Sequence, residues 1–480
     1  MPSELKGYIF AVAYAAICVA LAMVLYKFGV PKKYTRKVTH ILVGFEWVIL
    51  YHFMGTGIHF LLVCLGVTAI LLLTHIKKLI PAMSSDAENA PGTVYYGVAM
   101  SVMAIIMQFL PEVAVPFGIG VFCTSFGDGF AGVVGQSVKR FNPKIFGKKS
   151  LLGSLANLAF SFGSAFIISE IYSFPLRWYH CLFIGILSVG LELIGGYGLD
   201  NILITVGTAM LAYGFVYSDW LMNVIIPIIL TPFVIVLVKE KKALTPVGLA
   251  VAMVLDLIIS ITLGNFGFTL LLSFLALSIV IDKIKKLKKK SDTITKKGDC
   301  RDEIQVIANG LIPMVMALLY SSTGNHAFIV GYIAALAEAF GDTAGSGFGV
   351  FSRGTFDVFK MKKCECGISG GMSVVGTLSS LVGAILFSLI ALAFCVADIF
   401  IVIIAAGAAF LGTVFDSFLG SVFQIKYRCK TCGMLVEREE HCGKRTVRES
   451  GFSFFDNDVV NLFSGAFAAI LAALMYTLLT

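Results

Sequence analysis

Apolar residues run in long blocks along this chain, with polar residues confined to short intervals between them. Apolar runs of about 17–25 residues, the length a helix needs to cross a bilayer, recur from end to end. They predict helices near 7–28, 38–53, 57–76, 93–110, 113–127, 151–172, 178–196, 201–217 and 219–238. A second series is expected near 243–263, 266–282, 304–322, 326–341, 370–395, 398–418 and 457–479. The expected fold class is therefore all-α: a polytopic helical membrane protein of about sixteen spans.

Composition agrees. The chain is 58% hydrophobic and 14% charged, whereas soluble domains are nearer half apolar and a quarter charged. The net charge of +8 does not signal a nucleic-acid partner, because the cations sit in short loops between spans and set orientation. With sixteen spans, the Lys/Arg loops 27–37, 77–78, 139–149, 239–242, 283–301, 353–363 and 426–448 all fall on one side. Arg177 is the lone exception. That side is expected to be cytoplasmic in the cell membrane, with both termini outside. The first span is followed, not preceded, by Lys27, Lys32, Lys33 and Arg36, the wrong polarity for a cleaved signal peptide.

One pattern occurs twice. Phe126-Gly127-Asp128, Gly135, Lys139, Lys148-Lys149 and Gly153 recur, 214 residues later, as Phe340-Gly341-Asp342, Gly349, Arg353, Lys362-Lys363 and Gly367. Asp128 and Asp342 each end a predicted span running the same way. This predicts two related halves in parallel orientation, 1–240 and 241–480, with Lys239-Glu240-Lys241-Lys242 at the seam. The charged stretch from Lys283 to Arg301 reads as a solvated connector.

The repeated residues suit a metal–nucleotide phosphate. Mg²⁺ binds through one or two carboxylates plus substrate phosphates, which nominates Asp128, Asp200, Asp342 and Asp458 as metal ligands. Lys139, Arg140, Lys148, Lys149 and Gly153 then face phosphate in the first half, and Arg353, Lys362, Lys363 and Gly367 in the second. Asp128, Asp200, Asp342 and Asp416 are the catalytic candidates, one acid of each pair accepting an alcohol proton. Asp200 and Asp416 also read as helix-end caps, and Asp458 with Asn461 as an N-cap. Arg36 and His40 are one helical turn apart and can reach an anion at the membrane surface; Lys37, Glu192 and Asn201 join them as candidates at a lipid headgroup. Glu46 and Glu338 are further intramembrane acids.

Of eleven cysteines, Cys364, Cys366, Cys429, Cys432 and Cys442 fall in two basic loops. Cys429-x-x-Cys432 followed by His441-Cys442 is compatible with a structural Zn²⁺ clasp, which Cys364 and Cys366 could complete.

Residues 30–240 resemble the CTP-dependent lipid kinases, the phytol, dolichol and CTP-using diacylglycerol kinases. Arg36-Lys37 with His40, Phe126-Gly127-Asp128-Gly129-Phe130-Ala131-Gly132, Gly147-Lys148-Lys149-Ser150-Leu151-Leu152-Gly153-Ser154, and Glu192 with Asp200-Asn201 carry the likeness. The order Asp, Lys-Lys, Gly-Ser is also similar to that of phosphatidate cytidylyltransferases. Residues 243–480 resemble the DUF92 family, which includes phytyl-phosphate kinase. Here the residues are Leu244-Thr245-Pro246, Arg301, Gln305-Val306-Ile307-Ala308-Asn309-Gly310, Gly341-Asp342-Thr343, Gly367 to Gly371, and Asp456-Asn457-Asp458 with Asn461. One departure is that Ser346 is followed by Gly347 where the family usually has Ser-Glu; if that glutamate is a metal ligand, the second site is expected either to be weakened or to use Glu338 instead. Together the resemblances imply an isoprenoid alcohol kinase fused to a prenyl phosphate kinase, with Mg²⁺ and CTP, acting at the lipid bilayer. A phospholipid cytidylyltransferase and a transporter are the alternatives, and the oligomeric state stays open.

Overall fold

The structure is a computed structural model. It describes residues 2–77, 92–138, 142–146, 149–195, 198–219, 223, 244–288, 301–352, 354–357, 359–364, 368–393 and 398–480. Lys139, Arg140, Lys148, Arg353, Cys366, Gly367 and the expected seam Lys239–Lys242 lie outside these residues. The chain forms two compact units, Met1–Ile225 and Ile226–Thr480.

In the first unit, α1 (Ser3–Lys27), α2 (Lys32–Val43), α3 (Glu46–Met54), α4 (Ile58–Lys77) and α5 (Gly92–Phe109) lead to α6 (Ala114–Phe122). From α6 the chain continues without interruption through a π-helical turn, Cys123–Asp128, into α7 (Gly129–Ser137). An antiparallel hairpin follows, β1 (Lys144–Phe146) and β2 (Lys149–Ser150). Next come α8 (Leu151–Ile171), α9 (Trp178–Ile194) and α10 (Asp200–Tyr217). Ser150 caps α8, its side chain accepting a hydrogen bond from the Gly153 amide. Thus Gly153 serves the helix start.

The π turn sits at the centre of this unit. At Gly127 a Cβ would collide with the Ser161 side chain of α8, so only glycine lets the two helices approach this closely. Behind it Ser161 and Ser188 donate to Asn157 Oδ1 at 3.0 and 2.7 Å. In a bilayer, where apolar burial gives little drive between helices, such bonds and small-residue contacts hold helices together.

The second unit begins with α11 (Pro246–Lys288), followed by α12 (Glu303–Thr323) and α13 (Ala327–Gly349). The hairpin β3 (Thr355–Asp357) and β4 (Lys362–Cys364) leads to α14 (Val374–Ala393) and α15 (Ile399–Val422). A small ribbon intervenes: β5 (Lys426–Arg428), β6 (Leu435–Val436), β7 (Glu440–His441), β8 (Lys444–Arg445) and β9 (Val447–Ser450). β5 pairs with both β6 and β9, and β7 with β8, all antiparallel. The final helix is α16 (Asn457–Leu479). α13 is central and packs against each of the other five described helices of the unit. Its span is the most enclosed, 83% buried, because Gly331, Ala334, Ala337, Gly341 and Ala344 present little side chain.

Among the described residues, 11 helices are long and apolar enough to cross a membrane, and Trp178–Ile194 is a shorter apolar helix. The expectation of about sixteen differs for physical reasons. The run 38–53 divides at Gly44-Phe45 into α2 and α3, each too short to span. The runs 243–263 and 266–282 join in α11, yet the backbone leaves helical geometry at Gly264 (φ 66°, ψ −159°), so two crossings remain compatible with it. The run 219–238 falls almost wholly outside the described residues.

Candidate functional site

In the first unit the turn Cys123–Asp128 directs Asp128 toward α2. Lys37 Nζ lies 2.7 Å from Asp128 Oδ2 and also donates to the Asp128 carbonyl at 3.1 Å. His40 Nε2 lies 3.5 Å from the same carboxylate oxygen and 3.1 Å from the Thr124 carbonyl oxygen. Lys37 reaches this position across Gly132, where any Cβ would collide with its stem. Lys37 and His40, two of the lipid-head candidates, thus share the Asp128 carboxylate. Among the described residues Arg36 forms no ion pair with an acid.

A second cation lies opposite. Lys149 Nζ on β2 sits 2.6 Å from Glu192 Oε1, at the end of α9, and 3.5 Å from Asp200 Oδ2, the first residue of α10. Burial opposes its charge, but Asp200, Asp128 and Glu192 together raise its pKa above the ordinary lysine value. Asp200 is not a cap: Leu199 holds that position, and Asp200 Oδ1 accepts from the Asn201 amide at 3.1 Å. Asn201 Nδ2 donates to the Gly92 carbonyl at 2.8 Å, which aims its Oδ1 elsewhere.

Three carboxylates, Asp128, Glu192 and Asp200, thus meet two ammonium groups. Glu192 Oε2 and Asn201 Oδ1 are buried without a hydrogen-bond partner. A pocket with surplus negative charge and unused oxygen donors fits a hard divalent cation such as Mg²⁺, which takes oxygen ligands and keeps room for phosphate.

In the second unit the acids are arranged differently. Glu338 and Asp342 lie on α13 and Asp416 on α15. Ser464 Oγ of α16 donates to Asp416 Oδ2 at 3.4 Å. Glu338 is 2% exposed, and its Oε1 is buried without a hydrogen-bond partner. Asp416 does not end its helix, since α15 continues to Val422. Asp458 is not the N-cap either. Asp456 caps α16, accepting from the Asp458 and Val459 amides, and leaves the Asp458 carboxylate buried. At Gly347 a Cβ would collide with Ile281, so the family's usual glutamate has no room there; the acids on the same helix are Glu338 and Asp342.

Among the described residues, in each unit a helix bearing Gly-Asp is followed by a hairpin bearing Lys and then three helices; Glu192 and Asp416 lie on the second of the three, and Asp200 and Asp458 at the start of the third.

Lys362 and Lys363 on β4 are exposed. The loop beside them is held by residues the sequence reading passed over. Asp357 is buried and accepts from Ser421 Oγ at 2.7 and 2.8 Å. Glu437 of the ribbon accepts from both the amide and the hydroxyl of Ser369, and Lys426 Nζ donates to the Ser369 carbonyl at 2.7 Å. Burial lowers the Lys426 pKa, and nearby Lys360 adds to that. A buried acid inside an otherwise basic hairpin was the available signal for Asp357; nothing local marked Glu437. Elsewhere in the unit, the motif residues Leu244, Arg301, Gln305 and Asn309 converge with Asp256 and Phe274 around an apolar cleft between α11 and α12.

Residues 229–469 match the family described as integral membrane protein DUF92. The chain belongs to this family. It is 30% identical over 219 residues to an uncharacterised membrane protein of Methanocaldococcus jannaschii, covering 43% of this chain and 86% of that one. It is 28% identical over 197 residues to the phytol kinase of Synechocystis sp., covering 40% and 82% respectively. It is 27% identical over 252 residues to protein PGR of Arabidopsis thaliana, covering 47% and 86%. No solved structure matches the chain. This DUF92 chain is an integral membrane protein, mostly helical, and in contact with the lipid bilayer through its apolar helices.

Proposed function

We propose that this DUF92 protein is a membrane lipid kinase that phosphorylates an isoprenoid alcohol in its first unit and the resulting monophosphate in its second. The observation that carries the reading is Lys149, poised between Glu192 and Asp200 and sensing Asp128. The similarity to a phytol kinase supports an isoprenoid substrate, and the sequence resemblance to CTP-dependent lipid kinases supports CTP as donor.

In the first unit the hydroxyl oxygen of the alcohol bonds to the terminal phosphorus. The bond from that phosphorus to the bridging oxygen breaks, and the nucleoside diphosphate leaves. Lys149, with Lys139, Arg140 and Lys148 nearby in sequence, binds the phosphate charge. Asp200, whose contact with Lys149 is long, accepts the hydroxyl proton. Lys37 and His40 occupy Asp128 Oδ2, so Asp128 is the anchoring carboxylate. Asp128 and Asp200, with Glu192 and Asn201 beside them, would hold Mg²⁺, which would neutralise charge on the phosphates. In the second unit Asp342, Asp416, Glu338 and Asp458 take the corresponding places, and Lys362 and Lys363 meet the incoming phosphates. The two units are read as related halves with their sites on the cytoplasmic face, where the monophosphate headgroup of a bilayer-held lipid also lies.

The test supplies the purified full chain with phytol, farnesol or geranylgeraniol and each γ-labelled nucleotide. Labelled lipid phosphate with CTP is the expected product. A CDP-lipid with released pyrophosphate would replace the kinase by a cytidylyltransferase. No lipid product with any nucleotide would remove both.

A further inference from the structure

The ribbon between α15 and α16 is too small to fold on apolar burial. Its strands are two to four residues long, and isolated pairs of that size need a staple such as a disulfide or a metal. The cysteines described there are free thiols. Yet one ligand atom from each of Cys429, Cys432, His441 and Cys442 lies within 4.8 Å of all the others.

We infer that these four residues bind one Zn²⁺ through three thiolates and His441 Nδ1, and that this metal holds the ribbon in its fold. The ring nitrogen lies 3.4 Å from Cys432 Sγ and 3.3 Å from Cys442 Sγ. With Zn–S near 2.3 Å and Zn–N of 2.0–2.1 Å, a tetrahedron has N···S edges of about 3.6 Å, so a small outward movement seats the ion. The backbone is shaped for it. Cys432 and Cys442 are each followed by a glycine at φ 71°, Gly433 and Gly443. That left-handed turn folds the chain back beneath the sulfur. The Gly433 amide donates to the Cys429 carbonyl at 3.0 Å, the Cys429 amide to Met434 at 2.9 Å, and the Thr431 amide points at Cys429 Sγ from 3.4 Å. Amides directed at a sulfur stabilise the thiolate form a metal requires.

The set is closed, with four protein ligands and no place for a reacting water, so the role is structural. Among the described residues Cys364 is not in this cluster, and Cys366 lies outside the described residues. The metal has a defined structural load. The segment it folds carries Glu437 and Lys426, which grip Ser369 through its amide, hydroxyl and carbonyl. Zinc thereby fixes the loop ahead of α14, a family-motif segment, from a position outside the acid cluster.

The full chain, purified in detergent without chelator, is assayed by elemental mass spectrometry and then exchanged with Co²⁺. The expected result is about one zinc per chain and a cobalt spectrum with thiolate charge-transfer bands of a tetrahedral site. Cys432→Ser and Cys442→Ser should lose the metal while Cys364→Ser keeps it. Stripping the metal from the wild-type chain should expose 426–450 to protease with the helices intact, and added zinc should restore protection. Wild-type protein without metal after zinc supplementation, a Cys432–Cys442 disulfide, or zinc lost equally in Cys364→Ser would each overturn the inference.

Discussion

Lys149 Nζ and Glu192 Oε1 are 2.6 Å apart, joining a strand of the first hairpin to the end of α9. Lys149 keeps 30% of its side chain exposed and Glu192 only 5%. The lysine is thus a lid on a buried acid pocket, able to turn toward a phosphate when one arrives. Two further carboxylates, Asp200 and Asp128, share its charge.

Removing the cation leaves those acids uncompensated. Lys149→Met should destabilise the chain by about 2–3 kcal/mol, reduced from the fully buried case by the partial exposure. Because its folded pKa is raised, the stabilisation is complete below the ordinary lysine pKa and fades as pH rises through the higher folded value. Thermal unfolding in detergent should therefore show wild type losing stability at strongly alkaline pH, with Lys149→Met lacking that component. Equal alkaline profiles would refute the pairing.

Gly132→Ala tests how Lys37 reaches Asp128. The added methyl occupies the space of the lysine stem, so either the ion pair or the α2–α7 packing must give. A loss of about 1–3 kcal/mol is expected, together with a lower rate of lipid phosphorylation. Wild-type behaviour in both would mean that Lys37 has another route.

The two units should separate by mutation. Asp128→Asn is expected to lower formation of the monophosphate by about 10²-fold or more, while externally supplied prenyl monophosphate is still converted. Asp342→Asn should let monophosphate accumulate. Thin-layer separation of labelled products decides this, and joint loss of both steps from either change would argue for a single site.

Glu437→Gln keeps the shape of a side chain that holds Ser369 but weakens its grip by removing the charge. Diphosphate formation should fall several-fold with zinc content unchanged. A loss of zinc with the activity would instead place the effect on ribbon folding.

Particular residues show what the chain made legible. Asp128, Lys149, Glu192, Asp200 and Asn201 were all nominated from sequence, and the structure gathers them in one pocket. Lys37 was nominated for a lipid head, yet it is the acid's direct partner, because Gly132 opens a path that helical spacing alone does not reveal. Cys429, Cys432, His441 and Cys442 were readable as ligands, since their turns are local; excluding Cys364 required knowing where its hairpin lies.

The sequence by itself determined that this protein is built of apolar helices and which acids and cations are available for chemistry. Hydropathy and local spacing are properties of the linear chain, so they survive without a fold. Only the tertiary structure decided which charges meet, which aspartates are caps, and which cysteines converge. Those relations depend on contacts across tens to more than a hundred residues, and on where small side chains let backbones approach.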